Sequence, residues 1–172
     1  MDKFFRISAM CVALALSSQS AFAAQDADDF VEDASAKGIA EVEAGKLAEE
    51  KSKSAQVLEF AQMMVKDHTA ANEQLKAIAQ DKKLEVSDDA QLLDKAKAMI
   101  LELRNAGSFD QAYANNQVKA HEATIKLFEE QAADGEDADL KAFASDTLPK
   151  LREHLAHAKE LAAATGGDTA KN

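Results

Sequence analysis

From residue 27 onward the sequence falls into long segments whose apolar residues recur at alternating steps of three and four, and a single proline interrupts them. This spacing puts the apolar side chains on one face of an α-helix, and such a face must be buried against other helices. The segments run about 27–52, 54–82, 89–105, 109–133 and 139–164. Ser54 is placed to cap the second, Asp88 or Asp89 the third, and Asp137 or Asp139 the fifth. Ser108 with Gln111 resembles a capping box for the fourth. Asn105-Ala106-Gly107 and Asp134-Gly135 supply stops. Pro149 lies inside the fifth segment and is expected to kink or break it near Leu148. One proline and few β-branched runs argue against an all-β fold.

Four segments are long, about 26 residues or ~39 Å as helix, and the third is shorter. The expected fold is all-α: a ferritin-like four-helix bundle over residues 24–164, with segment 89–105 as the crossover between the second and fourth helices. An up-down bundle with a fifth helix packed on its side is the alternative. Gly166-Gly167 and the polar residues that follow give an expected frayed tail over 165–172.

Residues 1–23 read as a secretory signal peptide. Lys3 and Arg6 form the positive start, Ile7 to Leu16 the short apolar stretch, and Ala21-Phe22-Ala23 the small-x-small cleavage pattern. Ten or so apolar residues are too few to span a bilayer. Cleavage after Ala23 would remove Cys11, the chain's one cysteine, and with it any disulfide or thiolate ligand. The mature chain, expected in a bacterial periplasm, would keep 30 acidic and 18 basic residues, a net charge of −12. That balance argues against nucleic acid as a partner and against an anionic membrane surface. No second apolar run of 18 residues follows, so no stable membrane insertion is expected after cleavage.

The stripes carry polar residues where hydrophobes are expected. The second helix reads Val57, Ala61, Met64, His68, Ala71, Leu75, Ile78. The fourth reads Val118, His121, Ile125, Phe128, Ala132, and the fifth Leu140, Ala144, Thr147, Leu151, His154, Ala158, Leu161. In the first, Phe30, Ala34, Lys37, Glu41, Gly45 and Ala48 set Glu41 among small residues. Each of the four polar residues lies near the middle of its helix, so in an antiparallel bundle all four share one cross-section. His157, the fourth histidine, falls one turn beyond His154 on a neighbouring face.

Two readings of this layer compete. In one, Glu41, His68, His121 and His154 bind a zinc, copper or iron ion, with Met64 and His157 as candidate extra ligands. Asp67, Glu122 and Glu153, each adjacent in sequence to one of the histidines, then support the ligands or stand in solvent. In the other, Glu41 and the histidines satisfy one another by hydrogen bonds and fix the helix register. A dinuclear carboxylate oxidase needs Glu-x-x-His pairs, and no Glu here is followed three residues later by His. Phosphate-loop, nucleophile-elbow and His-Glu-x-x-His motifs are absent, so the sequence points away from an enzyme. Tyr113 is expected to seal one bundle end with its hydroxyl toward water.

Several runs resemble one bacterial family. These are Glu41 to Ala48, Phe60 to His68, Phe109-Asp110 with Tyr113 and His121, and Leu148-Pro149 with His154. Together they resemble the exported ferritin-like family catalogued as domain of unknown function 4142, over about residues 28–163. The resemblance implies a ferritin-like helical bundle and an envelope location, and implies no activity. The leading functional reading is an envelope or stress-related periplasmic protein with a candidate buried Glu/His metal site. A non-metal module binding an envelope protein and a ferritin-like redox enzyme are the alternatives.

Overall fold

The computed structural model describes residues 26–84 and 89–167; the expected signal peptide and the end of the tail lie outside the described residues. The described residues form five helices and no strand: α1 (Ala27–Lys51), α2 (Ala55–Lys82), α3 (Asp89–Arg104), α4 (Phe109–Asp134) and α5 (Ala138–Gly167).

Local chemistry sets most of the boundaries. Asp26 caps α1 by accepting the Asp28 N–H at 3.1 Å, and Asp28 and Asp29 place negative charge at the positive end of the helix dipole. Asp137 caps α5, its Oδ1 accepting the N–H groups of Asp139 and Leu140 at 3.0 Å each. α2 ends where Lys83 turns left-handed at φ 58° and Leu84 N–H reaches back to the Ala79 carbonyl at 3.0 Å. Two expected caps do not form: neither Ser54 nor Ser108 bonds the backbone through its side chain. Between α1 and α2 the Ser52 hydroxyl accepts the Ser54 N–H at 3.1 Å and so shapes the connection rather than capping α2.

Of the kink or break expected at Pro149, the break is absent. α5 runs unbroken from Ala138 to Gly167 with Pro149 inside it. Pro149 faces solvent, while its neighbours Leu148 and Leu151 are buried, so packing holds the helix on both sides of the missing N–H. The helix also takes in the first three residues expected in the tail, with Thr165 bonding its hydroxyl to the Leu161 carbonyl at 2.9 Å.

Paired contacts fix the directions of the four long helices. On α1 and α2, Gly38 meets Asn72 and Gly45 meets Val65; on α1 and α4, Phe30 meets Phe128 and Glu41 meets Gln117. On α2 and α5, Asp67 meets His154 and Lys82 meets Asp137; on α4 and α5, Glu122 meets Lys159 and Glu129 meets Arg152. In every pair one number rises as the other falls, so all four neighbouring pairs are antiparallel. The diagonal is parallel: Phe60 meets Tyr113 and His68 meets His121. The end of α2 and the start of α4 therefore lie at opposite ends of the four helices. α3, about 24 Å long, makes that return journey. It lies against α1 and, less extensively, α4, burying Leu92, Ala96 and Leu103 while Leu101 stays exposed.

The core has two parts. One gathers Phe30, Leu75, Phe128, Leu140, Phe143 and Leu151, the other Ala44, Ala48, Val57, Ala61, Met64, Tyr113 and Ala158. Between them lies a layer of buried polar side chains. Gly45 belongs to the close approach of α1 and α2: a Cβ there would lie 2.7 Å from Val65 Cγ2 and 3.1 Å from the Ala61 carbonyl oxygen.

Candidate metal centre

Three histidines from three helices meet between the two halves of the core. His68, His121 and His154 are 6%, 1% and 1% exposed, and their ring centroids are 5.4–5.5 Å apart. One ring nitrogen from each lies within 4.8 Å of the other two. His68 Nε2 and His121 Nε2 are 3.4 Å apart. Two donors at about 2.0–2.1 Å from one ion in tetrahedral geometry stand about 3.3 Å apart, so this pair already has a ligand spacing.

The outer partners decide which nitrogens are free. His121 Nδ1 is 2.9 Å from the Gln117 carbonyl oxygen. That oxygen can only accept, so Nδ1 carries the proton and Nε2 keeps its lone pair. His154 Nε2 is 3.0 Å from Asp67 Oδ2 and donates to it, which leaves Nδ1 bare. Nδ1 of His154 is buried with no hydrogen-bond partner. A metal-ligating histidine commonly donates its other N–H to a carbonyl or carboxylate in this way, which fixes the ring and raises its basicity.

Burial keeps the set neutral. It holds His68 well below the usual imidazole range, with His121 and His154 pushing the same way. It lowers His121 to about 4 against the opposing bond to the Gln117 carbonyl. It also lowers His154, with the Asp67 carboxylate pulling upward. Neutral imidazole is the form that binds metal, so no proton need be expelled at neutral pH.

The other candidate ligands fall elsewhere. Glu41 is buried at 3% exposure, but its carboxylate is not one of the converging donors. It accepts a 2.6 Å bond from Gln117 Nε2, one turn before His121 on α4. Burial raises its carboxyl to about 7, against the Gln117 bond and the charge of Lys37. Met64 is fully buried among Val57, Phe60 and Ala61, one turn before His68. His157 is exposed and lines a groove with Glu59, Met63 and Glu160, outside the histidine group. Of the three acids adjacent to histidines, Asp67 supports a ligand, though on α5 rather than its own helix. Glu122 and Glu153 pair with Lys159 and Lys150 in solvent at 3.0 Å each. Tyr113 departs from expectation: it is fully buried, and its hydroxyl has no hydrogen-bond partner. It stacks at 9° on Phe109 and meets Phe60 edge-on, so both rings wall it off from water.

Gln117 lies outside the stripe that the sequence suggests, which passes through Val118 instead. It is fully buried and joins Glu41 to His121 through its side chain and its carbonyl. The available signal is a polar residue four positions before a histidine, one turn away on the same face.

The chain matches no curated protein and no solved structure. A family model described as "Domain of unknown function (DUF4142)" matches residues 12–161, and the chain belongs to that family.

Proposed function

We propose that this protein is an exported metal-binding protein of the bacterial envelope, built as a ferritin-like four-helix bundle with α3 as its crossover. The antiparallel neighbours and the parallel α2–α4 diagonal support the bundle reading. The observation that carries the metal reading is the three-histidine set: one ring nitrogen from each histidine lies within 4.8 Å of the other two, and His121 and His154 are each oriented by an outer acceptor. Three neutral nitrogens and no carboxylate suit zinc or copper best, with iron third; a carboxylate-bridged pair of irons has no donors here. The exposed Leu101 on α3 is ordinary on a protein surface, whereas Leu93 borders a groove with Ile39, Val42, Leu84 and Leu92, which is the observation that favours the interaction-module reading.

One experiment addresses location and metal together. The full-length chain is expressed with its own N-terminus, recovered without chelator and weighed by native mass spectrometry. The expected mass starts at Ala24 and includes one metal ion, which raises the melting temperature. His68→Ala is expected to lose both the ion and that rise. An uncleaved chain would overturn export. If zinc, copper and iron all leave the wild-type melting curve unchanged, the layer is a hydrogen-bonded register device and no more.

A further inference from the structure

The histidines supply three donors, and a zinc or copper site of this kind takes a fourth. On the Phe128 side of the histidine layer lies a cavity of ≈ 40 Å³, lined by His68, His154, Asn72, Thr124, Thr147 and Lys150 among others. One water needs roughly 10–15 Å³ of such space and two to four polar partners. Thr124 and Thr147 donate their hydroxyl protons to carbonyls of their own helices, Ala120 at 2.8 Å and Phe143 at 2.7 Å. Their oxygen lone pairs are left to accept from a water, while the Asn72 amide and the Lys150 ammonium on the same wall are the groups able to donate to an anion. Asp67 and Lys150 border the cavity where α2 meets α5; they stand 3.9 Å apart with side chains 23% and 50% exposed, so the cavity reaches the surface there. On the opposite side of the layer the core is closed by Met64, Ala61, Tyr113 and Ala158.

We propose that the fourth coordination position of the ion faces this cavity and takes one exogenous ligand, water in the resting protein or a small monoanion, entering between α2 and α5. The proposal rests on the three-histidine metal reading. It separates a site that exchanges a small ligand from one closed entirely by protein, and only the former can act on a bound molecule.

Cobalt(II) tests it, because its visible absorption changes with the number and kind of its ligands. The mature protein is loaded with cobalt and titrated with azide. The expected result is a saturable shift of the visible bands. Ala71→Leu, which fills the cavity from α2, should still take up cobalt, with bands shifted by the loss of the resting water, and lose the azide response. Ala34→Leu, which fills it from α1, serves if the first variant does not fold. Cobalt bands that azide leaves unchanged in the wild type would overturn the proposal while sparing the metal site. Filled variants that respond to azide like the wild type would overturn it too, because the anion would then bind outside the cavity. A change of the cobalt bands in Met64→Leu, with no azide response in the wild type, would give the fourth position to the Met64 thioether. Absence of any cobalt bands would take down the metal reading itself, and the proposal with it.

Discussion

The two halves of the core solve the same packing problem with different materials. The half around Phe128 is filled by large side chains: Phe30 meets Phe128 at 5.3 Å and Phe128 meets Phe143 at 5.8 Å, with Leu75, Leu140 and Leu151 around them. The half around Tyr113 is built on Ala44, Ala48, Ala61, Ala114 and Ala158, and it carries buried polar atoms. Glu41 and Gln117 bond each other there, while Gln117 Oε1 and the Tyr113 hydroxyl have no partner; on the aromatic side Gln131 Oε1, three residues after Phe128, is likewise buried without one. Large apolar side chains hold helices together by area removed from water, and they tolerate small voids such as the cavity beside the histidines. Small residues let helices approach closely and leave buried polar groups little room for compensation. The histidine layer sits at the junction, with its cavity on the aromatic side and its buried carboxyl on the alanine side.

The largest effect is expected in the aromatic half. Phe128→Ala removes a ring that touches two others and should cost about 3–5 kcal/mol, read as a lowered urea midpoint at unchanged slope. A loss under about 1 kcal/mol would mean that this half collapses around the hole and that the contrast between the halves is overstated.

Glu41 gives the next effect, and its sign depends on pH. Its carboxyl is raised to about 7 in the folded chain, against 4.5 when unperturbed, so the folded state holds this proton more tightly. Stability from this group is complete below pH 4.5, fades as pH rises toward 7, and is gone above it. The three histidines act oppositely. Their folded values lie below 6.5, so their contribution is present above 6.5 and is lost as pH falls through that value. Between pH 4.5 and 6.5 three groups oppose one, and the metal-free wild type should lose stability on acidification. Glu41→Gln removes the single opposing term. The variant should lose stability more steeply over that window and gain on the wild type by roughly 3 kcal/mol at pH 8, for a fully buried group shifted this far. Parallel pH profiles for the two proteins would show that Glu41 is hydrated in the folded state.

The same division explains what the sequence disclosed. All five helices and their approximate ends were legible, because apolar stripes and caps such as Asp137 are local. The convergence of His68, His121 and His154 was legible from stripe membership and equal depth, since antiparallel mid-helix positions must meet. Glu41 passed the same test yet bonds Gln117, because a shared cross-section does not fix which neighbour a side chain reaches. The pairing of Asp67 with His154 was not legible, since it joins residues 87 positions apart through the relative rotation of α2 and α5. Continuity through Pro149 was hidden for a similar reason: the buried leucines that hold α5 together there are tertiary partners, not local signals.

The smallest expected effect tests the alanine half by its sign. Tyr113 keeps its phenol protonated, since burial and the charges of Glu41 and Glu49 push it well above its usual range. The hydroxyl is therefore a neutral donor with nothing to donate to, and a buried unpaired polar group of that kind costs about 1–3 kcal/mol relative to a bonded one. Tyr113→Phe deletes the oxygen and keeps the ring contacts with Phe60, 6.1 Å between centroids, and Phe109, 5.9 Å. The urea midpoint should stay the same or rise, by up to about 1 kcal/mol in stability. Removing atoms from the aromatic half costs stability, and removing this atom from the alanine half should not. A loss of about 1 kcal/mol instead would mean that the hydroxyl is hydrogen-bonded in solution, by an ordered water or by Glu41, and that the alanine half is as well satisfied as the aromatic half is well filled.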